Sequence, residues 1–256
     1  MRTLLATSRT ALVEAWTNRR SFWVQVLAML LNDSVWVIFW VLFFHRVGDI
    51  NGWGTDEVLL MFAILATITG ITMGLLGNAR RLGWLVAEGQ LDAVLTLPVD
   101  PLAYILVRKV DTALLGDLLF GPLLFVVAAH PTPERTLLYV VGALSGSVVF
   151  LSFVVMLGSL TMVVGGRGEQ GDLGFQALLI LASYPLDVFG GLTKLMMFSV
   201  IPAAFITGVP VHLVNDFSIG TLAALLGAAA ASAVVARAAF RAGLRHYRSG
   251  ALWTRA

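Results

Sequence analysis

Apolar positions along the chain gather in long unbroken runs rather than in the alternating or one-faced patterns of water-soluble elements. Residues 22–44 and 58–77 are each long enough to cross a hydrocarbon core of about 30 Å as a helix. The same length test is met by 110–129, by 136–164 and by the Ala/Leu-rich stretch 218–236. The stretch 173–217 is apolar too, but Pro185, Gly190-Gly191, Pro202 and Pro210 interrupt it, so the pattern alone leaves one crossing or two open there.

Two segments follow a different rhythm. Around a helical projection of residues 2–18, Leu4, Leu5, Ala11, Leu12, Ala15 and Trp16 share one arc, while Thr3, Thr7, Thr10, Glu14 and Thr17 lie opposite. That predicts an amphipathic helix lying on a membrane surface, within residues 1–21. In the loop 78–101, Leu82, Leu85 and Val86 recur at helical spacing, Gly89 breaks the run, and a second short helix near 91–97 is stopped by Pro98.

Composition turns this pattern into a statement about solvent. Hydrophobic residues make up 58% of the 256 and charged residues only 12%, about half the share that coats a soluble domain. The chain belongs in a membrane. With no cysteine there is no disulfide, thiolate metal site, cysteine nucleophile or S-acylation, and His45, His130, His212 and His246 stand too far apart to suggest a metal site.

Lys/Arg bias settles the open crossing. With the N-terminus inside and a single crossing near 173–189, Arg46, Arg135 and Lys194 are the only outer basic residues of the 17. A second crossing in that stretch would carry Arg237, Arg241, Arg245, Arg248 and Arg255 to the outside. Six spans with both termini cytoplasmic is therefore the expectation, with 190–217 a broken segment that enters the outer leaflet and returns. Such backbone is tolerated at that depth only under a cover of protein.

Catalytic motifs are scarce. No GxxxxGK[ST] or GxSxG occurs, and Gly165-Gly166-Arg167-Gly168 has neither the spacing nor the lysine of a phosphate loop, so it is expected to be a cytoplasmic turn. Nothing calls for a nucleic-acid partner. Ser145, Ser147 and Ser159, with the pairs Gly70/Gly74 and Gly142/Gly146, are expected at close helix contacts. Asp111, three residues from Arg108, is expected to pair with it on a helix face. Asp33 and Asp117 are the stronger signal, because each falls near the middle of a predicted span, where a carboxylate costs at least about 2.5–3.5 kcal/mol unless paired or hydrated. Each is either a polar lining for a translocation path or one half of a structural pair.

The loop Glu88-Gly89-Gln90-Leu91-Asp92-Ala93-Val94-Leu95-Thr96-Leu97-Pro98-Val99-Asp100-Pro101-Leu102 resembles the EG-x-LD-x-x-L-x-x-P-x-x-PL signature of the ABC type-2 permeases, the membrane subunits of ABC exporters. Gly52-Trp53, Tyr184-Pro185, Ile201 to Thr207 with Pro210, and Arg241 to Ser249 agree with it in order, over nearly the whole chain. The resemblance implies a single all-α permease domain of six helices at 1–256, with an interfacial helix, a coupling helix in 78–101 and a re-entrant outer segment. It also implies separate ABC ATPase subunits that hold the ATP, no cofactor in this chain, and a second permease, a different chain or a copy. Helices one, two and five would face that partner, in the cytoplasmic membrane of a bacterium.

On that basis Glu88, Gly89, Asp92 and Pro98 form the expected contact with the ATPase, with Asp92 starting the second short helix. Asp33 and Asp117 would give a shared cavity a negative potential, and Trp36 and Trp40 would add aromatic surfaces for a hydrophobic organic cation. A non-transporting scaffold would need only the same hydropathy. A lipid-modifying enzyme would need clustered carboxylates or a His/Ser dyad at one interface, whereas Asp33 and Asp117 read as isolated at mid-depth.

Overall fold

A computed structural model describes residues 2–165 and 168–247; Gly166 and Arg167 of the glycine run and Arg248, Ser249 and Arg255 of the tail lie outside them. The described residues are almost entirely helical and contain no strand. Helix α1 spans Arg2–Thr17 and α2 spans Arg19–Val47, divided at Asn18, whose side chain accepts the Ser21 amide at 3.1 Å. Helix α3, Thr55–Thr69, runs on through a π-helical turn, Gly70–Leu75. A 3-10 turn at Gly77–Arg81 leads into α4, Leu82–Ala87; α5 is Leu91–Leu95 and α6 is Pro101–Val107. Then come α7, Leu115–Ala128, α8, Pro133–Val164, and α9, Gln170–Ala182. Helices α10, Gly191–Ser199, and α11, Gly208–Asn215, precede α12, Ile219–His246.

Among the described residues, four helices are long and apolar enough to cross a membrane: α2, α3 with its π turn, α8 and α12. The segments Gly191–Ser199 and Ala203–Asn215 form a pair bent by 69°, with Pro202 at the break. Helices α7 and α9 are shorter than the runs 110–129 and 173–189 predicted, with 14 and 13 residues, or about 20 Å each. At one end Asp111 stands outside α7: its carboxylate accepts the Ala113 and Leu114 amides at 3.2 and 3.4 Å. With residues 108–114 outside any regular helix, the spacing from Arg108 no longer places the two side chains on one face, and no Arg108–Asp111 ion pair forms. At the other end, Tyr184-Pro185 ends α9, because a residue before proline is pushed out of the helical region.

The core is organised on α3. Its residues from Leu60 to Thr69 are all buried, so this helix, which the resemblance set on a partner-facing surface, is instead the central post of the chain. The close approach of α3 and α7 depends on missing side chains. A Cβ on Gly121 would strike Thr67 and the Ala63 carbonyl, and one on Gly70 would strike the Leu118 backbone. Gly74 packs on the Leu114 carbonyl in the same way, while Gly142 meets Pro210 and Gly146 meets Ile68 and Ile206. The two glycine pairs thus sit at helix crossings, with Ser145 and Ser147 buried beside Gly146; Ser159, also buried, lies further along α8 against Gly243 of α12.

Polar contacts sort the loops into two ends. At one, Asp187 accepts from Trp53 Nε1 at 2.9 Å and Lys194 Nζ at 2.7 Å and lies 2.9 Å from His212 Nε2. Asn51 donates to the Asp187 carbonyl at 3.0 Å, and Arg135 to Asn215 Oδ1 at 2.9 Å. At the other, Arg80 Nε meets Asp172 at 2.9 Å, Trp84 Nε1 meets the same carboxylate at 3.3 Å, and Arg237 of α12 pairs with Asp100. Arg46 and Lys194 belong to the first end, and the loop 78–101 to the second.

Candidate functional site

Between α2, α3, α7 and α9 lies a cavity of about 220 Å³. Its polar side holds Asn32, Asp33, Thr69, Asp117 and Ser183, and its apolar walls mix aliphatic side chains with the aromatic rings of Trp36, Phe62, Phe120, Phe175 and Tyr184. Among the described residues no Lys, Arg or His lines it.

Each acid arrives by a different route. Asp33 stands mid-way along α2, half-buried, with Asn32 Nδ2 3.4 Å from its Oδ1. Asp117 is in the first turn of α7, not mid-helix, because that helix starts at Leu115; it is 3% exposed and takes a hydrogen bond from the Thr69 hydroxyl. Thr69 is the last α-helical residue before the π turn, an arrangement that recurs at functional sites because it re-aims one turn of side chains. The second oxygens, Asp33 Oδ2 and Asp117 Oδ1, are buried and meet no protein donor. The two side chains meet in the cavity. The two acids are therefore not isolated. Such a pair is satisfied by a donor or a positive charge between or beside the oxygens: a shared proton, water or a cation.

Trp36 and Trp40 separate here. Trp36 lines the cavity with 47% of its surface exposed, whereas Trp40 is buried behind the wall, its ring 6.4 Å from Phe62 and 6.0 Å from Tyr184. Phe62 and Phe175 were not singled out from sequence, and Tyr184 was noted only for the resemblance at Tyr184-Pro185 and not as a cavity wall. No spacing marked them: Phe175 and Tyr184 are nine residues apart, a half turn on a helix, and Tyr184 lies beyond the end of α9, so their meeting at one cavity depends on the bend after that helix.

In the loop 78–101, Leu82, Leu85 and Val86 are buried and Gly89 adopts a left-handed φ of 70°, so the break falls where a side chain would be strained. Glu88 is exposed, accepts from Gln90 Nε2 at 2.7 Å and lines a cleft with Arg80, Trp84 and Asp172. Asp92 lies in the first turn of α5, and Pro98 is exposed beyond its end. Asp100 caps α6 through the Ala103 amide at 2.9 Å, and the Arg237 guanidinium holds its carboxyl below the usual carboxylate range.

An all-helical chain with several helices long and apolar enough to cross a membrane, an acidic cavity between them and an exposed loop between helices has the build of a membrane transport component. Residues 30–251 match the family model described as ABC-2 family transporter protein, and the chain belongs to that family. It is a multi-pass membrane protein and a permease component rather than a catalyst, in a family that generally works with ABC ATPase partners. A comparison with curated proteins finds no match.

Proposed function

We propose that the chain forms half of the path of an ATP-driven exporter. ABC ATPase subunits bind and hydrolyse the ATP, and a second permease chain completes the path. Six crossings with both termini cytoplasmic are supported by the sorting of polar contacts into two ends, since α7 and α9 each run from one end towards the other. The amphipathic character of α1 supports its place on the inner surface: Ala11 is buried against the chain while Leu5, Leu12 and Trp16 are exposed. The 69° bend supports a re-entrant outer segment held by Asp187. In the loop 78–101, Glu88 and the first turn of α5 receive the push of ATP closure, with Gly89 as the bend between two short helices and Pro98 as the stop.

The exported compound is proposed to be a hydrophobic organic cation. The observation that carries this is the cavity itself: two carboxyls with unmet oxygens, aromatic walls and no base. A quaternary ammonium or phosphonium ion would satisfy both oxygens without a hydrogen-bond donor and lie against the Trp36 face. At about 220 Å³ the cavity is smaller than the roughly 300–1,000 Å³ of a full drug-sized site. Its edge residues Trp36, Ile180 and Tyr184 are 47%, 60% and 43% exposed, so a partner against α2 and α9 would supply the other wall. The test is resistance of cells that depend on this exporter. Asp33→Asn and Asp117→Asn keep the shape and remove the charge, and each is expected to abolish protection against quaternary ammonium dyes at normal membrane levels. Protection equal to wild type in both variants, or wild-type protection against neutral and anionic compounds only, would overturn the proposal.

A further inference from the structure

The end of the chain that carries the loop 78–101 holds a second feature, with a charge opposite to that of the cavity. A cleft of about 440 Å³ opens between α1, the 3-10 turn before α4 and the linker after α6. Three cations converge on it from two segments: Arg81 from the 3-10 turn, and Arg108 and Lys109 from the linker. All three are exposed, and none takes part in an ion pair among the described residues, whose pairs use Arg80, Lys194, His212 and Arg237 instead. Glu14 is the only acid on its lining, so the cleft is net positive.

The cleft is held in shape. Buried Asn78 donates to the Ile105 carbonyl at 2.8 Å, and the Asp111 amide donates to the Gly74 carbonyl at 2.9 Å, which together fix the linker 108–112 against the 3-10 turn. The cations therefore stand at defined positions rather than on a loose tail. Its depth is set by its neighbours. Helix α2 starts at Arg19, and α3 with its π turn ends at Leu75, two residues before the turn that carries Arg81. Ends of crossing helices lie where headgroup phosphates lie. Beside the cleft, Leu5, Leu12 and Trp16 of α1 and Trp23 and Leu27 of α2 are exposed apolar surface, continuous with an acyl layer.

We infer that this cleft binds the phosphate of an anionic phospholipid, with Arg81, Arg108 and Lys109 as its ligands and the exposed faces of α1 and α2 along its chains. A basic cleft between membrane helices on the side enriched in Lys/Arg is the physical requirement for such a headgroup, and each cation near an anionic surface favours it by a factor of roughly five. The inference rests on the chain being a membrane permease with this end at headgroup level. It needs neither transport nor ATP.

The experiment uses the purified full chain in nanodiscs of equal phosphatidylglycerol and phosphatidylcholine, with retained lipid read by native mass spectrometry after transfer to detergent. Wild type is expected to retain phosphatidylglycerol selectively. Arg81→Gln, Arg108→Gln and Lys109→Gln should each lower the selection roughly fivefold, and the triple variant should erase it. Arg108→Lys and Lys109→Arg should keep it, as should Arg46→Gln at the opposite end; thermal unfolding alike in all variants separates loss of the site from loss of the fold. Equal retention of the two lipids by wild type, or full selection in the triple variant, would overturn the inference. So would displacement of the lipid by inorganic phosphate alone at millimolar concentration, which would mark a free-anion site, or by the purified ATPase, which would mark a protein contact. A failure here leaves the resistance test of Asp33 and Asp117 untouched.

Discussion

At the scale of single residues, Gly121 decides how near α7 comes to α3, and with it where Asp117 stands. Any side chain there meets the Ala63 carbonyl and the Thr67 backbone, which no change of rotamer can clear. Gly121→Val is expected to cost about 3 kcal/mol of stability, read as a lower unfolding temperature in detergent. An unchanged temperature would mean that the two helices approach less closely. Ser232, half-buried on α12, is the contrasting case, since its hydroxyl bonds only to the Ala229 carbonyl of its own helix. The position of Asp117 in the first turn of α7 also places a carboxylate at the positive end of a helix, an arrangement that favours it by a few tenths to one kcal/mol.

Among elements, α9 joins the loop 78–101 to the acidic cavity and to the turn that carries Asp187. Its first turn carries Asp172, tied to Arg80 and Trp84 of the loop 78–101; its middle puts Phe175 and Leu179 on the cavity; and the turn after it carries Asp187. Burial pushes the Asp187 carboxyl up, but Lys194, Trp53 and His212 together outweigh it, and the group sits below its ordinary value of 3.8. A carboxylate lowered in the folded state contributes stability above its unfolded value and loses it as pH falls through the folded one. Unfolding temperature should therefore be insensitive to this group at neutral pH and fall once pH drops below about 3.8. Asp187→Asn should remove about 1–2 kcal/mol at pH 7 and flatten that acid limb; a variant with the full wild-type limb would assign the acid loss to other groups.

The elements also mark how far sequence could be read. Runs that bury or expose whole helices were legible, as were the break at Gly89, the short helix at Leu91, the proline-broken pair of helices after Pro185 and the glycine crossings. The ends of α7 and α9 were not, because apolar residues in a turn and in a helix look alike, and the Asp111 cap and the X-Pro stop at Tyr184 act locally against a pattern that runs on. Nor was the meeting of Asp33 and Asp117. Each acid was visible alone, but their contact depends on a crossing of α3 and α7 and on α2 lying alongside, which no spacing along one chain encodes. The central place of α3 was hidden for the same reason.

For the whole molecule, the six-crossing topology is open to a direct check, since a cysteine-free chain accepts single reporters. Cysteines at Ser8, Ala87 and Ser249 are expected to resist an impermeant thiol reagent in intact cells, and one at Asn51 to react; labelling at Ser249 would add or remove a crossing. The most direct measurement of the central claim is ATP-driven uptake of tetraphenylphosphonium into inverted membrane vesicles that hold this chain with its ATPase and second permease. Accumulation that requires ATP and this chain, and that disappears in Asp33→Asn and Asp117→Asn, is the predicted result. Uptake unaffected by deleting the chain, or fully retained when both carboxyls are neutralised, would contradict it.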